Sequence, residues 1–286
     1  MVKILSLTNK GCNIVLKKGR ANITAFIALI ISLLALYASF MGVLEETIYQ
    51  EVLITGTVTE NTMAGSIAQD MVSILLAVIL VLVALLFLKK GNYKALIGII
   101  GLIGYFLYAY GLYVIQGQYT SLYLLYMAIF ALSIYGFIWG LTSFNIQEAV
   151  FCQVRKKTRI STAIFLLLII IVLTPAWVSQ LLSDIANRVH CDVYAVPILD
   201  LCIEFPAFII ISIGLLRKKN FAGILGGVAL LKVFTVCLSW AFGEFGTAYI
   251  LEKPVNIAMA YISSLLTLIS IILTTIYLKQ LEKVNY

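Results

Sequence analysis

Eight long apolar runs divide the chain, and they limit the folds that it can adopt. The runs cover residues 23–44, 71–88, 95–115, 119–141, 160–182, 193–216, 221–242 and 255–278. Each has the roughly 17–25 residues that a helix needs to cross the hydrocarbon core of a bilayer. Backbone groups in lipid must pair within the protein, and the runs lack the alternation of barrel strands. The sequence therefore predicts an all-α, polytopic transmembrane bundle of eight helices.

The overall composition agrees with this class. Hydrophobic residues make up 62% of the 286 residues, and charged residues make up 12%. Soluble domains are roughly half apolar and about a quarter charged, so this excess of apolar side chains needs lipid to cover it. A soluble enzyme, a disordered chain and a disulfide-stabilised secreted domain are excluded.

The positions of Lys and Arg predict the orientation. Most of the 20 basic residues lie before the first run, after the second, fourth and sixth runs, and after the eighth. Only Arg188 and Lys253 fall in the opposite loops. By the positive-inside rule, the protein spans the cell membrane with both termini in the cytoplasm. The net charge of +7 then indicates contact with anionic lipid rather than nucleic acid. The sequence does not identify any protein partners.

The chain contains an apparent internal duplication. The basic turn at 88–93 resembles the turn at 216–221, 128 positions later, and Asp70 and Asp200 stand at corresponding positions upstream. Residues 24–25 match 162–163 more weakly. Two parallel four-helix repeats are predicted, residues 1–142 with an outer loop at 45–68 and residues 143–286. A pseudo-two-fold axis along the membrane normal would relate them.

Two aspartates lie in or beside the predicted spans. Asp70 and Asp200 both fall in the outer part of the bilayer when the rise per residue is counted from the basic turns. Ionisable groups in a span are costly and indicate functional sites. Together the two carboxylates could attract a cation or share a proton. Asp70 directly precedes the apolar run at 71–88, so it could instead be the N-cap of that helix.

An acid and an amine lie deeper. Glu204 and Lys232 stand at similar depths, roughly 18–20 Å above the inner basic turns, on consecutive antiparallel helices. We therefore expect an ion pair, which could be structural or part of a proton or substrate site. Pro206 cannot donate to the carbonyl of Cys202, so a kink beside Glu204 is expected.

Three tyrosines are too deep for the aromatic belt at the membrane surface. Tyr105, Tyr108 and Tyr126 need hydrogen-bond partners for their hydroxyl groups. An aromatic stripe at helical spacing usually reflects packing, but with the two aspartates these residues predict a polar, Tyr-lined cavity that opens outward.

Motifs for metal binding or catalysis are lacking. His190 is the single histidine and has no matching cluster of ligands, so no metal site is predicted. No nucleophile–base set is evident, no catalytic residue is assigned, and any cofactor is unknown. The acidic, Thr-rich outer loop at 45–66 is predicted to be irregular, with a short extended piece at 55–59.

The chain resembles a family of uncharacterised prokaryotic multi-pass membrane proteins with eight predicted helices. The resemblance covers most of residues 65–242. Its motifs are Gln69-Asp70, Lys89-Lys90-Gly91, Tyr105, Tyr108, Tyr110, the stretch 122–133, Leu199-Asp200-Leu201 and Pro206. Members often have a histidine shortly before the second aspartate, where this chain has Pro197, so a His/Asp site is not implied here. The resemblance implies an architecture and no activity.

Three function classes follow. The first is a small-molecule or ion carrier, or a ligand-binding membrane protein, in which Asp70 and Asp200 engage a cation or proton. Glu204 and Lys232 would then form an inner gate or coupling pair, and the tyrosines would line the cavity. The second is an accessory or assembly subunit that acts through partner helices. The third, a membrane-embedded enzyme for lipid-like substrates, is least favoured because no catalytic set is evident.

Overall fold

The computed structural model describes residues 16–145 and 154–281, and this part of the chain is helical without a β-strand. Its elements are α1 (Lys18–Leu44), α2 (Glu46–Ile54), α3 (Glu60–Lys90), α4 (Tyr93–Ile115), α5 (Tyr123–Leu141), α6 (Lys156–Asn187), α7 (Ala195–Leu199), a π-helical turn (Asp200–Glu204), α8 (Phe205–Leu216), α9 (Asn220–Ile250) and α10 (Ile257–Gln280). Helices α7 and α8 and the turn between them make one continuous span, Ala195–Leu216.

Eight helices are long and apolar enough to cross a membrane. The predicted all-α, polytopic bundle is therefore confirmed. Several helices extend beyond their apolar runs: α3, α6 and α9 contain 31, 32 and 31 residues. A helix of that length spans roughly 46–48 Å, which exceeds the hydrocarbon core of about 30 Å.

The outer loop predicted at 45–66 is largely helical. It contains α2 and the first turns of α3, which begins at Glu60 because the Thr59 side chain accepts a hydrogen bond from the Thr62 N–H at 3.3 Å. Glu60 also places a negative charge in the first turn, where it stabilises the helix dipole. The extended piece predicted at 55–59 is wrong, since Thr55 has right-handed helical backbone angles and is followed by turns.

Helix α4 lies at the centre of the bundle. It packs against α1, α3, α5, α7 and α9, and 78% of its most apolar stretch is buried, against 22% for α10. A helix that is apolar all round and buried on every side is typical of a bundle core. The large buried side chains of α4 include Tyr105, Phe106 and Tyr110.

The helix ends that carry the basic residues meet at one end of the bundle. The Lys17 N–H donates to the Ser143 carbonyl at 2.9 Å, which joins the start of α1 to the end of α5. The Tyr93 hydroxyl donates to the Leu281 carbonyl at 2.6 Å, which joins α4 to α10. Which side of the membrane this end faces stays a prediction, and the termini, 1–15 and 282–286, lie outside the described residues. The duplication and its boundary at residue 142 also stay predictions.

Glycines allow α3 and α9 to approach closely, and this contact can be tested. A Cβ added at Gly246 would lie 2.7 Å from the Cβ of Ala68, whereas a Cβ added at Gly243 would have no neighbour within 4 Å. Ala68 has no flexible atoms, so Gly246→Ala must push the helices apart. We expect it to lower the free energy of unfolding by about 1–3 kcal/mol, measured as a lower Tm in detergent. Gly243→Ala is the control and should leave the Tm unchanged or higher; equal Tm values for both variants would contradict the close contact.

Candidate functional site

Asp70 lies inside α3 and is only 1% exposed. The alternative that it caps a helix is wrong, because α3 starts ten residues earlier at Glu60 and has Thr59 as its N-cap. Hydropathy located the part of the helix that crosses lipid, and the polar first turns extend the same helix outward. Asp70 is therefore a buried side chain in the middle of a helix, and its carboxylate needs partners from neighbouring helices.

Three hydroxyl groups supply those partners. Ser39 of α1 and Tyr113 of α4 each donate to Oδ1 of Asp70 at 3.1 Å. Tyr49 of α2 donates to Oδ2 at 2.5 Å. A glycine makes room for this arrangement, since a Cβ added at Gly42 would lie 2.1 Å from Oδ2. The carboxylate is thus enclosed by hydrogen-bond donors from three helices.

Further hydroxyl groups extend this network. Tyr110 lies 3.1 Å from the Ser39 hydroxyl and also donates to the Ala35 carbonyl at 3.3 Å. The ring of Tyr126 is centred 5.0 Å from that of Tyr113. Its buried hydroxyl lies near Thr120 and Tyr49, but among the described residues it makes no hydrogen bond of normal length and angle. We name this group the Asp70 cluster. Its members are Ser39, Tyr49, Asp70, Tyr110, Tyr113 and Tyr126.

Asp200 is also buried, and its hydrogen-bond partners differ from those of Asp70. The Tyr108 hydroxyl donates to its Oδ1 at 3.0 Å, and the Trp177 indole N–H donates to its Oδ2 at 2.9 Å. Tyr108 comes from α4 and Trp177 from α6. Both oxygens of this carboxylate are therefore hydrogen-bonded by side chains of other helices.

The predicted ion pair between Glu204 and Lys232 is confirmed, and both residues are buried. The Lys232 ammonium also lies 4.5 Å from the centre of the Tyr108 ring, the same tyrosine that binds Asp200. Its charge acts on Asp200 as well. We name Tyr108, Trp177, Asp200, Glu204 and Lys232 the Asp200 cluster. It contains two carboxyl groups and one ammonium group.

A π-helical turn carries both acids of this cluster. It covers Asp200–Glu204, and the Phe205 N–H bonds to the Asp200 carbonyl, five residues back. Pro206 follows directly and has no N–H to donate, so the preceding turn loses its regular α-helical bonding. The irregularity that Pro206 predicts is thus present, as a wider turn. Single π turns in α-helices are frequent at functional sites.

The candidate residues form two clusters with separate hydrogen-bond partners. Asp200, Glu204, Lys232 and Tyr108 come together, and Tyr126 lies beside the partners of Asp70. Tyr105 belongs to neither cluster, since its hydroxyl lies 2.9 Å from that of Ser73. The structure thus does not bring Asp70 and Asp200 into one hydrogen-bonded site. The outward-facing, Tyr-lined cavity stays a prediction.

Sequence reasoning missed four of the five donors to Asp70 and Asp200 and found only Tyr108. Ser39 is one of several hydroxyl residues in the first apolar run, and Tyr49 lies in a segment predicted to be a loop. Tyr113 has the spacing of a packing stripe, and Trp177 lies near the end of an apolar run, where interfacial aromatic residues are common. A depression of about 270 Å³ at the end of the bundle opposite the basic residues was also missed. It is lined by Gln116 and Tyr119 and by the ring pair of His190 and Tyr194, whose centres are 4.7 Å apart.

The chain was compared with known proteins. No protein family, curated protein or solved structure matches it. The family resemblance of the sequence therefore stays an expectation. Within residues 16–145 and 154–281, no group of three His, Cys, Asp or Glu side chains could hold a metal ion. The Asp70 cluster and the Asp200 cluster are therefore the candidate functional sites of this protein.

The buried ion pair can be tested against an exposed one. Lys232→Met leaves Glu204 without its partner, and removing one member of a buried pair costs about 3–5 kcal/mol. Lys253 lies 3.7 Å from Glu60 at the surface, so Lys253→Met should cost less than about 1 kcal/mol. Unfolding followed by circular dichroism in detergent measures both. The double variant Lys232→Met/Glu204→Met should recover most of the loss, and an unchanged Tm in Lys232→Met would contradict the expectation.

Proposed function

We propose that the protein is a small-molecule or ion carrier whose transport is linked to cation or proton binding at buried carboxyl groups. The observation that supports this most is the Asp200 cluster. With all three groups ionised, Asp200, Glu204 and Lys232 leave one uncompensated negative charge in a buried place. An isolated buried charge is costly, so such a cluster favours uptake of a positive ligand.

The position of the cluster supports a role in conformational change. Both of its acids lie on the π turn, and the ion pair joins this turn to α9. If Glu204 takes up a proton, its attraction to Lys232 weakens, and Lys232 can pair with Asp200 instead. Transporters place such charged groups at interrupted helices near the middle of the membrane. The Glu204–Lys232 ion pair would thus hold the π turn against α9 when Glu204 is ionised and release it when Glu204 is protonated.

An internal duplication, which we also propose, fits this function. The Asp70 donor Ser39 and the Asp200 donor Trp177 are 138 positions apart, the same separation as Thr24 and Thr162. In this alignment, α1 corresponds to α6 and Ser39 corresponds to Trp177. Each of these two residues donates a hydrogen bond to the aspartate of its own half. Parallel repeats related by an axis along the membrane normal are known from transporters.

The buried faces of α1 and α6 support the same alignment. Residues 21, 24, 25, 28 and 31 of α1 are buried, and so are 159, 162, 163, 166 and 169 of α6. Each pair is separated by 138 positions. The agreement is confined to the first part of each helix, because residues 32, 35, 38, 39 and 42 of α1 are also buried and their counterparts in α6 are not. It therefore supports the alignment over this stretch.

An accessory or assembly subunit is the second candidate. Helices α6 and α10 leave much of their apolar surface uncovered, with 28% and 22% of their most apolar stretches buried. Lipid or partner helices could cover these faces. A partner that co-purifies in fixed stoichiometry after mild detergent extraction would favour this role over that of an independent carrier.

Transport can be tested with purified protein in liposomes that contain a pH-sensitive dye. Amino acids, monosaccharides and monovalent cations are added one at a time, with and without a pH gradient. We expect at least one compound to be taken up in a pH-dependent way. Asp200→Asn and Glu204→Gln should abolish the pH dependence because each removes a titratable group from the cluster.

The control is Glu252→Gln, which changes an exposed acid in the turn after α9. It should behave as the unmodified protein does. All variants are first checked for folding by size-exclusion chromatography. Uptake that keeps its pH dependence in both cluster variants would contradict the proposed coupling, and no response to any compound would count against a carrier.

The orientation, with the basic end in the cytoplasm, is also part of this proposal. In a chain whose other cysteines are replaced, a membrane-impermeant maleimide should label Cys191 in intact cells. A cysteine introduced by Lys90→Cys should be labelled only after permeabilisation. Burial raises the pKa of the Cys191 thiol, so its labelling should accelerate about tenfold per pH unit below that pKa. The reverse pattern of labelling would invert the topology.

A further inference from the structure

We infer that Asp70 is a proton-binding site, closed on the outer side by Tyr49 of α2. This rests on the proposed function and deepens it, because it names the coupling ion and the element that controls access to it.

Among the described residues, no positively charged side chain forms an ion pair with the Asp70 carboxyl group. It is 1% exposed, and the ion pairs found in residues 16–145 and 154–281 do not include it. Three hydroxyl donors lower the cost of its negative charge, but hydroxyl dipoles do not neutralise it. A carboxyl group in such a place is stabilised by gaining a proton or a cation.

The side chains that face Asp70 from the neighbouring helices carry hydroxyl groups. Helix α1 contributes Ser39, and the titratable neighbours are tyrosines, namely Tyr49 of α2, Tyr105, Tyr110 and Tyr113 of α4, and Tyr126 of α5. Helix α9 also packs against α3, but its Lys232 pairs with Glu204 and its Glu244 accepts from Trp240 at 2.9 Å. The charged groups of α9 are thus engaged elsewhere.

The tight packing favours a proton over a metal ion. A metal cation needs a shell of several oxygen ligands around it. Here a single added methyl group at Gly42 would lie 2.1 Å from Oδ2 of Asp70 and 3.1 Å from the Tyr49 hydroxyl. The carboxylate oxygens are already in contact with three hydroxyl groups. A proton adds almost no volume and is the cation that fits this packing.

The hydrogen bonds can accommodate the added proton. In the ionised form, Tyr49 donates to Oδ2. When a proton binds Oδ2, the new O–H can donate to the Tyr49 oxygen, and the Tyr49 hydrogen must turn to another acceptor. The Tyr126 hydroxyl lies beside Tyr49 and is one of the buried hydroxyl groups of the described residues that make no hydrogen bond. It can accept this hydrogen, so protonation leaves the Tyr49 hydrogen paired and breaks no covalent bond other than that of the incoming acid.

Helix α2 controls access to this proton site. It has nine residues, is not among the eight spans, and is held on the bundle by its buried Ile48, Tyr49 and Val52 side chains. Its Tyr49 side chain is 1% exposed and covers Oδ2. Burial and the nearby Asp70 raise the pKa of Tyr49, so its phenol keeps its hydrogen at neutral pH. Displacement of Tyr49 would open Asp70 to the outer solution.

Infrared difference spectroscopy tests the proton site without any transport assay. The full chain in lipid vesicles is titrated between about pH 4 and pH 9, and the C=O stretch of protonated carboxyl groups is followed. We expect a titrating band that is missing in Asp70→Asn and present in Asp200→Asn. Tyr126→Phe removes the acceptor needed only by the protonated form. It should therefore lower the midpoint by about one pH unit, a tenfold loss of proton affinity.

The matched control is Tyr123→Phe, one turn earlier on α5. The Tyr123 hydroxyl donates to the Val114 carbonyl at 2.9 Å and is not part of the Asp70 cluster. This variant should keep the midpoint of the unmodified protein. If Asp70→Asn does not fold, the comparison of Tyr126→Phe with Tyr123→Phe decides the question. Equal midpoints in these two variants, or an identical band in Asp70→Asn, would overturn the proposal.

Three further outcomes separate the proposed proton site from the proposed carrier function. A midpoint that shifts when sodium replaces choline in the buffer would show competition by a metal cation and overturn the choice of a proton. A titrating Asp70 band in a protein that transports nothing would support this site and reject the carrier. Transport that depends on Asp200, without any Asp70 band, would reject this site and leave the carrier intact.

Discussion

The cost of enclosing carboxyl groups in a membrane protein determines the centre of this structure. A buried carboxylate needs hydrogen-bond donors, and the lipid supplies none. Asp70 and Asp200 both obtain them from tyrosines of α4, which explains why the central helix is so rich in phenol groups. Tyr113 serves one acid and Tyr108 the other. Helix α4 can be buried on all sides because its polar groups are satisfied in this way.

The two clusters are therefore joined through one rigid element. Tyr108 and Tyr110 lie on opposite faces of α4, since two residues correspond to about 200° of helical rotation. A shift of α4 that repositions Tyr108 against Asp200 must also move Tyr110 and Tyr113 relative to the Asp70 cluster. Binding at one acid can thereby alter binding at the other, and any such coupling acts equally in both directions.

Much of the fold could be predicted from the sequence, because hydropathy and proline act locally. The eight spans, the pairing of Glu204 with Lys232 and an irregularity before Pro206 all follow from composition and spacing. The surroundings of Asp70 could not be predicted. They depend on where α3 begins in water and on the rotation of α1, α2 and α4 about their axes, which continuous apolar runs do not encode. For the same reason Tyr49 and Ser39 gave no signal.

The proposed duplication gives the difference between the acids a structural basis. At a separation of 128 positions, Lys232 of α9 corresponds to Gly104 of α4, and the two residues meet: a Cβ added at Gly104 would lie 3.2 Å from Cγ of Lys232. The glycine makes room for the lysine stem, so only one half can hold an ammonium group at this contact. Asp200 therefore shares its surroundings with the Lys232 ammonium group, whereas the side chains of the described residues that donate to Asp70 are hydroxyl groups. Under the proposed duplication, the two carboxyl groups would serve different tasks, one within a charge cluster and the other as the site that we propose gains and loses a proton.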